Sequence, residues 1–209
     1  LALSTSQINQ GLTTAQVVAL STAHILALSE TQISLGLSTT QIAAMETRDI
    51  AALSTAQVQQ GLTTAQIRLG LSTAQVAAME TRDIAALSTA QISQGLSTAQ
   101  VLVLATSQVA ALSTNGIAAL STGTIAALSA EQISLGLSTG QVVALSTGSM
   151  AALSTAQISL GLSTTQIAAM ETRDIAALST AQVQQGLTTA QVVALTTAQV
   201  QALTTAQIR

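Results

Sequence analysis

Cysteine, proline, phenylalanine, tyrosine, tryptophan and lysine are all missing from the sequence. Without cysteine there can be neither a disulfide nor a thiolate metal site. Without aromatic rings there are no platforms for single-stranded bases, and five arginines against eight acidic residues make no basic footprint for a phosphate backbone. No apolar run approaches the ~18 residues a membrane helix requires; the densest stretch is VLVLA at 101–105. Charge of either sign is scarce, at 6% of residues, and the net charge is −3. Nucleic acid and membrane insertion are therefore set aside as partners.

What the chain does contain is alanine, leucine, isoleucine and valine, with four methionines, so that 48% of its 209 residues are apolar. So much serine, threonine and glutamine with so little charge would suit a disordered segment. A disordered segment, however, lacks apolar groups to bury, and here they recur at regular intervals. The length suits one substantial domain, expected to span residues 1–209. The chain starts at Leu1 with neither Met nor a signal peptide. It is expected to be a segment of a longer array, its targeting unreadable here.

From Leu3 onward the sequence divides into repeats of eight or nine residues with the pattern L-[ST]-T-A-Q-[IV]-x-x, a glycine closing the longer form. LTTAQVVA (12–19) is an eight and LSTAQVQQG (53–61) a nine; twenty-four full repeats precede a final LTTAQIR at 203–209. Most nine-residue repeats begin 25 residues after the previous one, the length of one nine and two eights. Three repeats then make one coil. Residues 28–66 match 153–191 at all but two of 39 positions, an offset of five coils.

In L-S-T-A-Q-V at 71–76, Ser72 is placed to cap a helix and Gln75, three residues on, to complete a capping box. Leu71 and Val76 fall at the two positions of a hydrophobic staple. A glycine after so short a helix suits a left-handed C-cap. One continuous helix is excluded: eight residues at about 100° each drift about 80° per repeat, which destroys any apolar stripe. The alternative is a β-solenoid, for which a 25-residue coil also fits. Against it, the apolar positions of the repeat are 1, 4, 6 and often 7, which do not alternate. The expected fold is all-α: a solenoid of one-to-two-turn helices, three repeats per coil. Eight coils at ~10 Å each would give a rod of ~80 Å.

The tandem [LM]-[ST]-T-A-Q-[IV] repeats resemble arrays in very large, repetitive bacterial proteins, often labelled adhesin-like or haem-utilisation proteins. The resemblance covers essentially the whole chain and implies a secreted or surface-associated parent with flanking repeats. It implies no catalytic residue. Nor does it place haem here, since His24 is the only histidine and cysteine is absent.

Nine of the thirteen charged residues sit in three copies of METRDIAA, as Glu46, Arg48 and Asp49; Glu80, Arg82 and Asp83; and Glu171, Arg173 and Asp174. Glu stands at the capping position and Asp at that of Gln. Acidic groups near a helix N-terminus suit its dipole, and the arginine can screen them. A calcium site would need six to eight oxygens, far more than one copy offers, and the copies do not stack. The expected role is a positional variant of the repeat, with metal and cofactor sites none. His24, at a Gln position in LSTAHILA, reads as a solvated first-turn residue. No serine or threonine has an activating base beside it, so catalytic residues are none. Glycines in STNG, STGT, STGQ and STGS across 112–150 mark a softer segment.

The expected function is a non-catalytic structural rod, a spacer or scaffold in a large extracellular protein. The alternative is a regular binding surface, ice-binding or adhesive, built from Ser/Thr columns. End-to-end self-association is expected as well, because the terminal coils lack a polar cap.

Overall fold

The computed structural model describes residues 3–209, and every regular element in it is a helix. No β-strand occurs among the described residues, so the β-solenoid alternative falls. Each repeat folds as one short helix. In helix Thr73–Ala78 the capping residue Ser72 is extended (φ −73, ψ 164), and its Oγ accepts from Gln75 N at 3.2 Å. Gln75 Oε1 in turn accepts from Ser72 N at 2.7 Å, completing the box. Leu71 and Val76, the staple pair, are buried. The helix ends where Met79 N donates to Val76 O at 3.2 Å, a tightened last turn, and the next repeat begins.

Nine-residue repeats hold their extra residue in a different way. In the helix of residues 57–61, Leu62 N reaches back five residues to Gln57 O at 2.9 Å, so the last turn is a π-turn, Gln57–Gly61. Seven of the eight nine-residue repeats widen like this; Ala130–Gly136 remains α-helical. The glycines are thus inside the helix, and none among the described residues has positive φ. This corrects the expectation of a left-handed C-cap. The glycine is there for close packing: a Cβ on Gly95 would lie 3.3 Å from Ile67 Cβ, and one on Gly161 3.1 Å from Ile133 Cβ, each one coil earlier.

Two compact units make up the chain, Leu1–Leu104 and Ala105–Arg209. In the first, helix Thr22–Leu26 packs on Thr47–Ala51, that on Thr73–Ala78, and that on Thr98–Leu102. In the second, Thr114–Ala118, Thr139–Val143, Thr164–Ala169 and Thr189–Ala194 stack in the same way. Every step is three repeats, which makes each unit an all-α repeat solenoid. Isolated helices of this length are unstable in water, so stacking must hold them. The core within each unit is the isoleucine or valine of position 6 with the leucine or methionine of position 1. Ile50, Val76, Ile117 and Ile167 are fully buried, and burying such a side chain contributes roughly 1.5–3 kcal/mol.

The glutamine of position 5 joins one coil to the next. Its Oε1 caps its own helix, while its Nε2 donates to carbonyls in the coil before. Gln66 Nε2 donates to Ile33 O at 2.7 Å and Leu37 O at 2.6 Å, and Gln91 Nε2 to Val58 O at 2.8 Å and Leu62 O at 2.7 Å. In the second unit Gln191 Nε2 reaches Ile158 O at 2.8 Å and Leu162 O at 2.6 Å. Helix C-termini leave carbonyls without intrahelical partners, and these amides supply the donors. The carboxamides of Gln66, Gln91 and Gln191 therefore sit buried with both ends satisfied, as a buried polar group must.

Candidate functional site

The three charged repeats put aspartate where the bridging glutamine normally stands. Asp49 and Asp83 are fully buried and Asp174 is 1% exposed. Sequence reasoning placed these acids at helix N-termini but did not foresee their burial. The signal was in the repeat itself: position 5 is the glutamine column, and that column faces the neighbouring coil. Aspartate is one methylene shorter, and an ionised carboxylate has no proton to donate to a carbonyl. It cannot do the second half of the glutamine's work.

The three carboxylates find different partners. Asp83 Oδ1 accepts from Thr55 Oγ1 at 3.1 Å, and Asp174 Oδ1 from Thr147 Oγ1 at 2.7 Å, each threonine lying one coil earlier. Asp83 Oδ2 and both oxygens of Asp49 are buried without a hydrogen-bond partner. Burial raises the pKa of Asp83; the Thr55 hydroxyl and the Arg82 charge pull it down in part, and Glu80 pushes it further up. A desolvated carboxylate is costly, and this set of neighbours offsets only part of that cost.

The arginines lean toward the glutamates instead. Arg48 Nε is 2.7 Å from Glu46 Oε2 but 3.9 Å from Asp49 Oδ1, and Arg173 repeats this at 2.8 and 3.9 Å. Arg82 pairs with Glu80 at 3.0 Å. These pairs are exposed and contribute little stability. The glutamates hold the capping positions but form no side-chain cap, so the charged repeats lose both the cap and the bridge. Among the described residues no three of His, Cys, Asp or Glu come together as a metal would require.

His24 takes the cap role of glutamine: Ser21 N donates to its Nδ1 at 3.2 Å, which puts the ring proton on Nε2. The ring is exposed, as expected. It lies beside an apolar depression of about 280 Å³ lined by Leu3, Leu12, Leu20, Ala27, Leu28 and Gln32. Among the described residues no helix is long and apolar enough to cross a membrane.

In the segment 112–150, Gly116, Thr124 and Ser149 occupy position 5. The hydroxyls of Thr124 and Ser149 lie within hydrogen-bond distance of their own capping serines, at 2.9 Å from Ser121 and 3.0 Å from Ser146. Neither side chain has the length of a carboxamide.

Five tandem copies of one family model, described as the ALTTAQ repeat, match residues 42–81, 76–114, 114–147, 136–172 and 167–205. The name spells the hexapeptide that opens a helix here, as at 194–199 and 202–207, from the last residue of one repeat to the bridging glutamine of the next. No curated protein matches the chain. With the family model covering well over half of the residues, on the same Leu, cap and Gln positions that build the coils, the chain belongs to the ALTTAQ repeat family.

Proposed function

We propose that the chain is a non-catalytic structural repeat segment, a spacer or scaffold within a large extracellular or surface-associated bacterial protein. The observation that carries this reading is the use made of the polar side chains. Glutamine carboxamides such as Gln66, Gln75 and Gln191 link coil to coil, and the hydroxyls of Ser72, Ser97 and Thr188 cap helices. Groups that an enzyme would deploy on a substrate are engaged in holding the coils together. Solenoids of this kind gain stability as a sum over neighbouring repeats, which suits a load-bearing segment. The extracellular setting rests on resemblance to repetitive bacterial arrays.

Pulling the chain between two handles in an optical trap tests the mechanical part. The expected record is resistance followed by stepwise lengthening in increments of one or a few coils. Smooth extension from the lowest forces, as an unfolded polymer gives, would sink the spacer reading. Labelling of intact cells by an antibody to the repeat tests the location. The other reading, a regular hydroxyl surface, has less support, because the position-2 hydroxyl already accepts a backbone N–H in repeat after repeat.

A further inference from the structure

Asparagine occurs twice in the chain, as Asn9 before Gln10 and Asn115 before Gly116. Only the second precedes a glycine, and that glycine stands in the glutamine column, inside helix Thr114–Ala118. The helix is consequently half-capped. Ser113 Oγ accepts from Gly116 N at 3.0 Å, but glycine has no side chain to return a bond to Ser113 N. Nor does this repeat have a carboxamide to tie its helix to another coil. Asn115 is exposed, and among the described residues its side chain makes no hydrogen bond. Its backbone carbonyl accepts from Ala119 N at 3.0 Å.

We propose that Asn115–Gly116 is a covalent modification site, where the chain deamidates itself when the Ser113 cap opens. The reaction uses Gly116 N as nucleophile and Asn115 Cγ as electrophile. A side chain on the second residue would crowd that approach, and glycine has none. In the closed helix the Gly116 N–H is committed to Ser113 Oγ. Once the turn opens, hydroxide removes the amide proton and the bond from Gly116 N to Asn115 Cγ forms. The Cγ–Nδ2 bond breaks and ammonia leaves. Water then opens the cyclic succinimide at either of its carbonyls.

The two products differ in their effect. Aspartate at 115 keeps the main chain intact and places an acid in the first turn of a helix, where its charge is tolerated. Isoaspartate routes the main chain through Cβ and Cγ, one methylene longer, and takes the carbonyl that Ala119 N bonds out of the helix path. That breaks the helix which buries Ile117 and packs against Thr139–Val143.

Peptide mapping by mass spectrometry is the test, on the whole chain held folded in mildly alkaline buffer made with oxygen-18 water. The expected result is conversion at Asn115, with a solvent oxygen in the product and Asn9 unchanged. A folded chain that leaves Asn115 intact while the urea-unfolded chain converts would overturn the proposal, and so would equal conversion at Asn9. Ser113→Ala reads the gate with the dipeptide untouched. Ala105 already holds the same position without a side-chain cap, so the fold accommodates alanine there, and circular dichroism verifies it. The folded variant is expected to convert about five-fold faster than the parent, the factor that one lost cap contributes to local opening. In urea the two should convert at the same rate. A folded-state rate unchanged by Ser113→Ala would overturn gating by the cap.

Discussion

A Cβ built on Gly70 would lie 3.0 Å from Ile42 Cγ2, with the carbonyl of Thr39 only 3.1 Å away. The contact is between coils, and backbone bounds it on one side. Gly70→Ala is therefore expected to destabilise by about 1–3 kcal/mol through overpacking. The same change at Gly140 is expected to act the other way. Nothing lies within 4 Å of a Cβ there, and the residue is inside helix Thr139–Val143. Alanine for an unneeded helical glycine stabilises by roughly 0.5–1 kcal/mol. Urea unfolding midpoints of the two variants should move in opposite directions.

Gln75 makes a cap and a two-pronged bridge, to Ile42 O at 3.1 Å and Met45 O at 2.8 Å. Gln75→Ala removes all three hydrogen bonds and leaves buried groups unsatisfied. The expected loss is about 2–4 kcal/mol at roughly 1 kcal/mol per bond plus desolvation. Gln75→Glu keeps the cap acceptor but turns a donor into a charge facing two carbonyls, and is expected to be at least as damaging. Hydrogen exchange at Ser72 and in the preceding coil should rise in both variants, with distant coils unaffected.

Asp83 gives the chain a dependence on pH. Its pKa is raised in the folded state, chiefly by burial. Its own helix carries Glu80 and Arg82, and the helix packed beneath, Gln57–Gly61, has no titratable group. Below the unfolded value, about 3.9, the carboxyl is neutral in both states and no penalty arises. As pH rises, the unfolded chain ionises first, so the stability present in acid is lost on passing through the raised folded value. Urea midpoints should fall between mildly acidic and neutral pH, and Asp83→Asn should flatten that slope. An unchanged slope in the variant would refute this assignment.

Amide exchange is expected to be fastest in residues 112–150. Gly116, Thr124 and Ser149 replace the bridging glutamine there, and glycines weaken the helices. Exchange no faster than at 153–200 would contradict the expectation.

The helices, their caps and the three-repeat coil were legible because each is a local pattern repeated many times: Ser72 with Gln75, Leu71 with Val76, most nines 25 residues after the one before. The second bond of glutamine was not, since it joins residues 29 to 33 apart and no local motif encodes that distance. The role of glycine was misread for the same reason: its constraint is a neighbour one coil away rather than its own φ. Aspartate burial follows from the glutamine column once that column is known to face inward. The charged repeats then stand out as places where a local rule is broken.

Many of the bridging glutamines reach two successive repeats of the coil before them, as Gln91 does with Val58 and Leu62. The links are staggered like courses of masonry, so no joint lies directly over another. A fracture between coils has to break several amide ties that belong to different helices, and cannot run along a single seam. Repeats with aspartate, Gly116, Thr124 or Ser149 at the glutamine position have no such amide, and a crack is expected to begin among them.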